Sequence, residues 1–594
     1  MILEAVNLNG PGTYVHWSIF TISLANLVLI GVMVVIFGAA LVLPFPKDRK
    51  PAPVAPADEE NGDQPPFDDA DMSKMWTSRL RRRAVSLLPP GKMLPDVQPA
   101  YVSSWVYVFG VASLSALALA IVSGAAIALG GVDWWHTNPV GHFFNSLHLW
   151  SVELFMAFIV IHLWGKFWMA AWRGRRALTW ITGVVAFAVS VVECFTGYLS
   201  QQNFDSQWIS TNGKDAINAS GLGGLFDLMN FGQMLLWHVV LVPIALIAIV
   251  GAHVLLVRVR GVSHPLPEGR PKSRPEKRAQ READAAPWRG PVRRYDVLKE
   301  ATAAGTIALV LVVVLSVFLS SPDEPPVTVA TWAKVAPADF LATAASELAG
   351  TSETATYGPP YNNGSAFVQG IGPSWQRLAG VMTPINPARA FVLQPLAKVA
   401  PTDPRLASAL DTYAHASTKQ RATWDSAYLT AVTKVSFAHG SPVTPQANDG
   451  PVPMLASTEL TLARSGALDA DLLAEHPFYG TDFTKPLLFL EDGSYFSSLA
   501  QADHLKGSQW GVMNETGSFP GQPWLWLYTL WYQLPGLRTS SNIDLIAVYL
   551  TGVATLLLLA IPFVPGLRDI PSVVPLHRLV WREWRKKATA SDEN

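Results

Sequence analysis

The sequence has little charge and almost no cysteine. Only 15% of its 594 residues are Asp, Glu, Lys or Arg, against roughly 25% in soluble domains. The 44 basic and 45 acidic residues nearly cancel, which argues against a nucleic-acid-binding protein. A single cysteine, Cys194, excludes an intramolecular disulfide, a cysteine-ligated cluster and a CxxCH haem attachment. Any metal or haem must therefore be held by other residue types.

Long apolar runs are what the sequence has instead. Half of the residues are hydrophobic, and the 22 tryptophans suit a protein with extensive membrane–water boundaries. Because a bilayer-spanning helix needs about 20 apolar residues, we predict a mainly α, polytopic bundle of about seven membrane helices. The segments are 17–43, 101–130, 145–170, 179–200, 234–257, 301–320 and 542–565. No basic residue precedes the first segment and no small-residue cleavage site follows it, so we expect a retained anchor.

Basic residues are concentrated in alternate loops. Segments 44–100 and 258–300, the turn after the third apolar run and the C-terminal tail are rich in Lys and Arg. Between them, 131–144 has no Lys or Arg and 200–233 has only Lys214. Because cytoplasmic loops carry the excess of positive charge, we predict that the N-terminus and 321–541 lie outside and the C-terminus in the cytoplasm.

These spans and loops predict a division of the chain into a helical core, linkers and one large inserted domain. The last is an extracytoplasmic domain rich in Ala, Pro, Ser, Thr and Gly, without catalytic or metal-binding motifs. The predicted units are an anchor (1–44), a cytoplasmic linker (45–100), the helical core (101–257), a basic linker (258–300), a membrane helix (301–320), the extracytoplasmic domain (321–541), a membrane helix (542–565) and a basic tail (566–594).

Four histidines lie in matched pairs on two apolar spans. His148 and His162 are 14 residues apart, and His238 and His253 are 15 apart. At about 100° and 1.5 Å per residue, each pair returns to within ~60° of one helix face and is separated by ~21–23 Å. Side by side, the spans would hold two haems by bis-imidazole ligation, one near each membrane surface. The alternative is that each histidine is a polar group satisfied between helices.

Two further spans carry glycines at the same spacing. Gly110 and Gly124 are 14 apart, as are Gly183 and Gly197. A flat macrocycle between helices needs a missing side chain where its edge meets backbone, although small residues are also common at contacts between membrane helices. Pro243 lies between the second pair of histidines and is expected to bend their helix.

Several stretches of sequence carry a family resemblance. They read NSLHLWSVELFMAFIVIHLWGKFWMAAW, RALTWITGVV, FTGYL and LLWHVVLVPIALIAIVGAHVLLVRVRGVSHP, and they lie within 101–265. They resemble the N-terminal di-haem region of the cytochrome b subunit of cytochrome bc complexes, the quinol–cytochrome c reductases, in a divergent bacterial form. Residues 520–585 are more loosely similar to the start of the family's C-terminal half.

The resemblance implies how the histidines share the two haems. His148 and His238 would ligate an outer b-type haem, and His162 and His253 an inner one. It also implies that Lys166 neutralises an inner haem propionate and that Arg258 anchors a quinone, although either could be an ordinary basic residue at a membrane surface.

The sequence departs from the family at the outer quinol site. Where members carry Pro-Glu-Trp-Tyr, this chain has Gln522-Pro523-Trp524-Leu525, without the carboxylate that accepts a proton. Glu193, an ionisable residue within a span, and Glu515 are candidate replacements for this carboxylate, and Trp524 is a further candidate residue of the site. Glu193 could equally be a carboxylate paired with a neighbour.

The resemblance implies a subunit of a respiratory quinol oxidoreductase that moves electrons between quinone and partner proteins across a cell membrane. Implied partners are a Rieske iron–sulfur protein and a c-type cytochrome, in a complex that is commonly dimeric; no nucleic acid is implied. The alternative is a di-haem anchor that links an outer dehydrogenase to the quinone pool without splitting the two electrons of quinol. A non-redox membrane scaffold is the third possibility, and it predicts no b-type haem.

Overall fold

Seven membrane-length helices dominate the described part of the chain. The computed structural model describes residues 8–43 and 93–586, apart from 11, 96, 268–272, 323, 365, 367, 381, 477–479, 507–516 and 522. The seven spans, numbered first to seventh, are Leu24–Val42, Trp105–Gly130, Pro139–Trp168, Ala177–Leu199, Phe231–Arg260, Val297–Leu319 and Ile543–Ala560. They confirm the predicted mainly helical, polytopic membrane fold with an additional domain.

Two spans begin six or seven residues away from their predicted starts, whereas the other five begin within four residues of theirs. The first starts at Leu24, because Tyr14–Trp17 and Phe20–Ser23 pair as an antiparallel hairpin and the Ser23 hydroxyl caps the helix. The third starts at Pro139, six residues before the apolar run, because Asn138 caps it and proline suits the first helical turn.

The central four spans pack as two helix pairs. The second span lies along the third and the fourth along the fifth; the sixth packs on the second and third, and the seventh on the fourth. Indole groups fasten the outer helices to this core. Trp150 donates to the Ser320 carbonyl at the end of the sixth span (2.7 Å), and Trp180 donates to the Leu558 carbonyl in the seventh (2.8 Å).

The fifth span changes its winding next to His238. It is α-helical over Phe231–Leu236, forms a π turn over Trp237–Leu241 and returns to α over Val242–Arg260. Pro243 lies two residues after the end of the π turn, and its missing N–H and bulky ring disfavour a regular α turn there. Because a π turn holds one additional residue, the 15 residues between the two histidines of this span act as 14 α-helical steps. The fifth span therefore matches the 14-residue spacing of the third.

The basic segment 258–300 is folded onto one end of the bundle. It contains the helix Arg274–Ala285, and Val292–Arg294 pairs antiparallel with Val97–Pro99. Asp284 forms an ion pair with Arg173 (3.1 Å), and its carbonyl accepts a hydrogen bond from Arg176 (3.0 Å). The described part of this basic linker is therefore folded, and most side chains of its helix are exposed. Residues 44–92 of the other predicted linker, and 587–594 of the tail, lie outside the described residues.

The segment 321–541 forms a helical domain that packs on the opposite end of the bundle. The short helix Phe204–Ala219, which we name the surface helix, lies between the fourth and fifth spans and contacts this domain. Trp208 and Trp332 belong to one continuous hydrophobic cluster that crosses the junction. The domain's helices are Val329–Val335, Pro337–Ala349, Glu353–Thr356, Trp375–Ala379, Gln394–Val399, Pro404–His415, Thr418–Val432, Val452–Arg464, Ala467–Leu472, Thr484–Glu491, Ser494–Ala502 and Trp526–Gln533. Two hairpins pair Ser436–Ala438 with Ser441–Val443, and Ala474–His476 with Gly480–Asp482.

Candidate functional site: two levels of histidines

The four predicted histidines meet at two depths of the bundle. His148 of the third span and His238 of the fifth have ring centroids 6.1 Å apart, and we call this pair the first histidine level. His162 and His253 are electrostatic neighbours and form the second histidine level. Fourteen helical residues separate the two levels by about 21 Å.

At the first level, each imidazole faces a predicted glycine. A Cβ built on Gly124 of the second span would lie 2.9 Å from Cε1 of His148, and one on Gly197 of the fourth span 2.5 Å from Cε1 of His238. Carbon atoms essentially never approach so closely, so a side chain at either position would displace the imidazole. Both rings therefore lie in space that only glycine leaves open.

The second level repeats this arrangement. A Cβ on Gly110 would lie 3.1 Å from Cε1 of His162, and one on Gly183 3.0 Å from Cε1 of His253. The second and fourth spans thus supply one bare backbone position per level, opposite each histidine of the third and fifth spans. Such a slot between helices fits a flat macrocycle at each depth.

Hydrogen bonds orient three of the four imidazoles. His148 Nδ1 donates to the Ala120 carbonyl and His238 Nδ1 to the Glu193 carbonyl, both at 3.0 Å, and His253 Nδ1 lies 3.2 Å from the Thr182 hydroxyl. A proton held on Nδ1 leaves the Nε2 lone pair free to bind a metal. The Nδ1 atom of His162 is buried without a hydrogen-bond partner.

The donor set suits an iron whose other ligands come from a macrocycle. Among the described residues, no three His, Cys, Asp or Glu side chains converge as a bare metal ion requires. Each level instead offers two imidazoles, which are the axial ligands of a six-coordinate haem iron. The residues present therefore fit a haem at each level.

Glu193 and Trp524, the two candidates for the outer quinol site, both lie beside the first level. Besides its carbonyl, Glu193 places carboxylate Oε1 3.4 Å from Nδ1 of His238. Trp524 is buried and packs against Phe195 and Tyr198 of the fourth span, with centroids 6.0 and 5.9 Å away. Gln522 and Glu515 lie outside the described residues.

Sequence reasoning missed one acidic residue of the bundle, Glu153. It lies on the third span five residues after His148, is 4% exposed, and neither carboxylate oxygen has a hydrogen-bond partner. The rule that singled out Glu193, an ionisable residue inside an apolar span, applies equally to Glu153. The signal was therefore present in the sequence.

The two predicted basic residues lie towards the second level. Lys166, four residues after His162, places its Nζ 4.6 Å from the ring centroid of Tyr107. Arg258, near the end of the fifth span, interacts electrostatically with Tyr295 just before the sixth span. Lys166 thus lies over an aromatic ring inside the bundle, whereas Arg258 lies at the bundle end.

Asn145 lies on the third span, three residues before His148. Its side-chain amide donates to the Ser321 hydroxyl (3.2 Å), and Ser146 donates to the same oxygen (3.0 Å). Asn145 therefore contributes to the attachment of the third span to the end of the sixth.

A buried ionic cluster fastens the surface helix to the adjoining domain. Lys214 Nζ lies 2.7 Å from a Glu491 oxygen and 3.3 Å from one of Asp215, and Tyr357 donates a hydrogen bond to Asp215. Burial disfavours the charged amine, but the two carboxylates outweigh that effect and hold the pKa of Lys214 well above its usual value. The cluster therefore anchors the domain at the end nearer the first level.

Comparisons with known proteins agree on one family. The family model described as "Cytochrome b(N-terminal)/b6/petB" matches residues 153–326. Cytochrome b6 of Heliomicrobium gestii is 30% identical over 143 residues, which cover 22% of this chain and 67% of that protein. The menaquinol:cytochrome c reductase cytochrome b subunit of Geobacillus thermodenitrificans is 26% identical over 194 residues, covering 29% of this chain and 87% of that one.

A third relative is matched over a smaller share of its length. The cytochrome bc complex cytochrome b subunit of Chlorobaculum thiosulfatiphilum is 30% identical over 139 residues, 22% of this chain and only 32% of that subunit. All three similarities leave most of the present chain without a counterpart in the alignment.

Proposed function

The chain belongs to the cytochrome b N-terminal/b6 family, and on that premise we propose that it is the di-haem cytochrome b subunit of a quinol–cytochrome c reductase-type complex. The observation that carries the proposal is the doubled arrangement of the bundle, in which two levels of paired histidines each face paired glycines. The same slot repeated at a depth difference of about 21 Å suits two redox groups in series across a membrane.

In this proposal His148 and His238 hold one b-type haem, and His162 and His253 hold the other. Bis-imidazole iron exchanges single electrons and leaves no position open for oxygen. The chain's own part is to fix the rings: the Ala120 carbonyl orients one imidazole of the first level. The glycines keep the macrocycle slots open, and the surrounding spans exclude water.

We further propose that the first level faces the outside of a bacterial cell membrane. The domain 321–541 lies at that end of the bundle, whereas Arg173, Arg176 and the basic segment 258–300 gather at the other end. The distribution of basic residues in the loops supports this orientation through the positive-inside rule.

Quinone would react at both ends in the full reductase cycle. Glu193 and Trp524 mark the proposed outer quinol site and Arg258 the proposed inner quinone site, while Lys166 would neutralise a propionate of the inner haem. Electrons leaving the outer site would pass to a Rieske iron–sulfur protein and a c-type cytochrome, in a complex that contains one or two copies of this chain.

A second candidate is a di-haem anchor for an outer-side dehydrogenase, without the splitting of quinol electrons. It is favoured by the way in which the added domain covers the surface helix: Trp208 is 8% and Lys214 2% exposed. A domain fixed so firmly at the outer end would suit a permanent redox partner. The absence of Glu from the Gln522–Leu525 motif also favours it.

Gentle detergent extraction of the native complex tests the proposal. The expected result is two b-type haems per chain, reduced by a quinol, with a Rieske protein and a c-type cytochrome in stoichiometric amount. Two haems with a dehydrogenase and no Rieske protein would favour the anchor. A preparation without b-type absorbance would contradict both redox proposals and leave the scaffold.

A further inference from the structure

The carboxylate of Glu153 is uncompensated in the bundle core. Both of its oxygens are buried without a hydrogen-bond partner among the described residues. An unpaired carboxylate in an apolar interior is energetically unfavourable. Ionisable residues within membrane spans accordingly tend to have a function.

Glu153 and Glu193 lie at the same depth. Glu153 is five residues beyond His148 along the third span, and Glu193 is four residues before Gly197, which faces His238 on the fourth. Because these two spans run antiparallel, both carboxylates lie about 6–8 Å from the first level towards the second. Cys194 interacts electrostatically with both glutamates, so they border the same space between the third and fourth spans.

An aromatic turn adjoins this space. The turn Pro523–Leu525 packs against both the third and the fourth span, and Trp524 lies against Phe195 and Tyr198. Apolar and aromatic surface with a few convergent polar groups is typical of a site for a small ring compound. The titratable groups that border the space are Glu153 and His148 on the third span, Glu193 and Cys194 on the fourth, and His238 on the fifth.

The two glutamates differ in their freedom to react. The Glu193 carbonyl accepts a hydrogen bond from His238 Nδ1, and its carboxylate Oε1 lies 3.4 Å from the same nitrogen, so Glu193 positions that imidazole and only its Oε2 is left without a partner. Neither oxygen of Glu153 is engaged. Glu153 is therefore the carboxylate with both oxygens available for a hydrogen bond, and then a proton, from a bound ligand.

We propose that Glu153 is the proton acceptor of the quinol site at the first histidine level. This inference rests on the proposed function. Conversion of quinol to quinone releases two protons and two electrons: one quinol O–H bond breaks as a carboxyl O–H bond forms on Glu153, and the second proton leaves to water. One electron would pass to the haem that His148 and His238 are proposed to hold, and the other to a partner oxidant of the iron–sulfur class.

The test compares Glu153→Gln and Glu153→Leu with the wild type in the purified whole complex. Because general-base catalysis contributes at least about 100-fold, we expect quinol-dependent turnover to fall on the order of 100-fold in both variants. Haem content should stay unchanged. Glu153→Leu should unfold at the same temperature as the wild type or higher, because it removes an unpaired polar group. Glu153→Asp should retain part of the turnover with a displaced pH profile.

Glu459 provides the matched control. It is also fully buried with both oxygens unpartnered, but it lies in the helix Val452–Arg464 of the added domain. Glu459→Gln should leave turnover at the wild-type value. Infrared difference spectra on quinol addition supply an independent readout: a protonated-carboxyl band should appear in the wild type and be absent from Glu153→Gln.

The outcomes separate the two proposals. If wild-type complex fails to transfer electrons from quinol to its haems, the proposed function itself is wrong. If the wild type does so and Glu153→Gln retains full turnover with an unchanged infrared band, only the role of Glu153 is overturned. Loss of haem from Glu153→Leu and Glu153→Gln alike would also overturn it, since the residue would then be structural.

Discussion

The two histidine levels share one scaffold but have opposite surroundings. At both levels glycine backbone faces the imidazoles, with an added Cβ 2.5–3.1 Å from the ring. The first level is bordered by Glu153 and Glu193, an aromatic turn and a folded domain, whereas the second lies near Lys166 and a basic bundle end. In the proposed function a duplicated cofactor slot would serve two chemistries: acids suit release of protons from quinol, and a cation suits an anionic group.

The largest expected effect comes from removal of one histidine at each level. His238→Leu should remove the first-level haem and His253→Leu the second, because neither iron keeps two axial imidazoles. Haem content of the purified chain should fall from two to one in both variants, with different residual spectra. His142→Gln is the control, since His142 bonds the Ser320 hydroxyl outside both levels. Retention of two haems in either leucine variant would contradict the ligand assignment.

Alanine substitution of the glycines should cause a smaller loss of haem, and the loss should differ between the two levels. An added Cβ would lie 2.5 Å from His238 at Gly197 but 3.1 Å from His162 at Gly110. Gly197→Ala should therefore lose more of its haem than Gly110→Ala, measured as haem retained after gentle warming.

Gly251→Ala is the control for the alanine substitutions, because Gly251 lies on the fifth span with no atom within 4 Å of an added Cβ. It should retain both haems fully. Equal losses from Gly197→Ala and Gly110→Ala would mean that the imidazoles shift freely away from the added methyl group.

Much of this arrangement could be predicted from residue spacing. The structure places His148 next to His238 and each of the four glycines against a histidine, as the matched intervals suggested, while their role as cofactor residues stays a prediction. The bend at Pro243 was expected, but its form was not: that a π turn converts 15 residues into 14 helical steps depends on the backbone. Glu153 was overlooked although an ionisable residue in a span is visible in sequence.

The added domain was far less predictable. Its short helices are individually too weakly apolar to show which faces become buried. Trp332 and Trp208 meet in one hydrophobic cluster although more than a hundred residues separate them. Lys214 is the single basic residue of a loop expected to lie outside, and the sequence suggests an exposed charge there. In the structure it is the buried centre of an ionic cluster. Contacts between residues so far apart in the chain leave no recognisable pattern in the local sequence.

The stability of the region around Asp227, at the end of the bundle that carries the added domain, should also depend on pH. Burial raises the pKa of Asp227 to about 6, with further repulsion from Asp482. The folded protein therefore binds a proton that the unfolded chain, with a pKa near 3.8, releases. As pH rises from about 4 to 6, this group lowers the free energy of unfolding by about 2–3 kcal/mol.

Asp227→Asn removes this titration and keeps the oxygen that accepts from the Met229 N–H. The variant should unfold at a higher temperature than the wild type at pH 7 and at a similar temperature at pH 4. Thermal unfolding of the detergent-solubilised chain at the two pH values measures this. If the unfolding temperature of the variant differs from that of the wild type by the same amount at both pH values, Asp227 does not titrate as assigned.

The smallest effect expected tests whether Lys166 distinguishes the second level electrically. A nearby cation favours the reduced haem, so Lys166→Met should lower the second-level reduction potential by an amount on the order of tens of millivolts, with the first-level potential unchanged. Lys299→Met makes the same charge change at an exposed position near the start of the sixth span and should shift neither. Potentiometric titration of both variants separates the cases. If Lys166→Met and Lys299→Met shift the second-level potential equally, the Lys166 charge, held over the Tyr107 ring, does not act on the second-level haem. The acidic residues at the first level would then be the electrical difference that remains between the two slots.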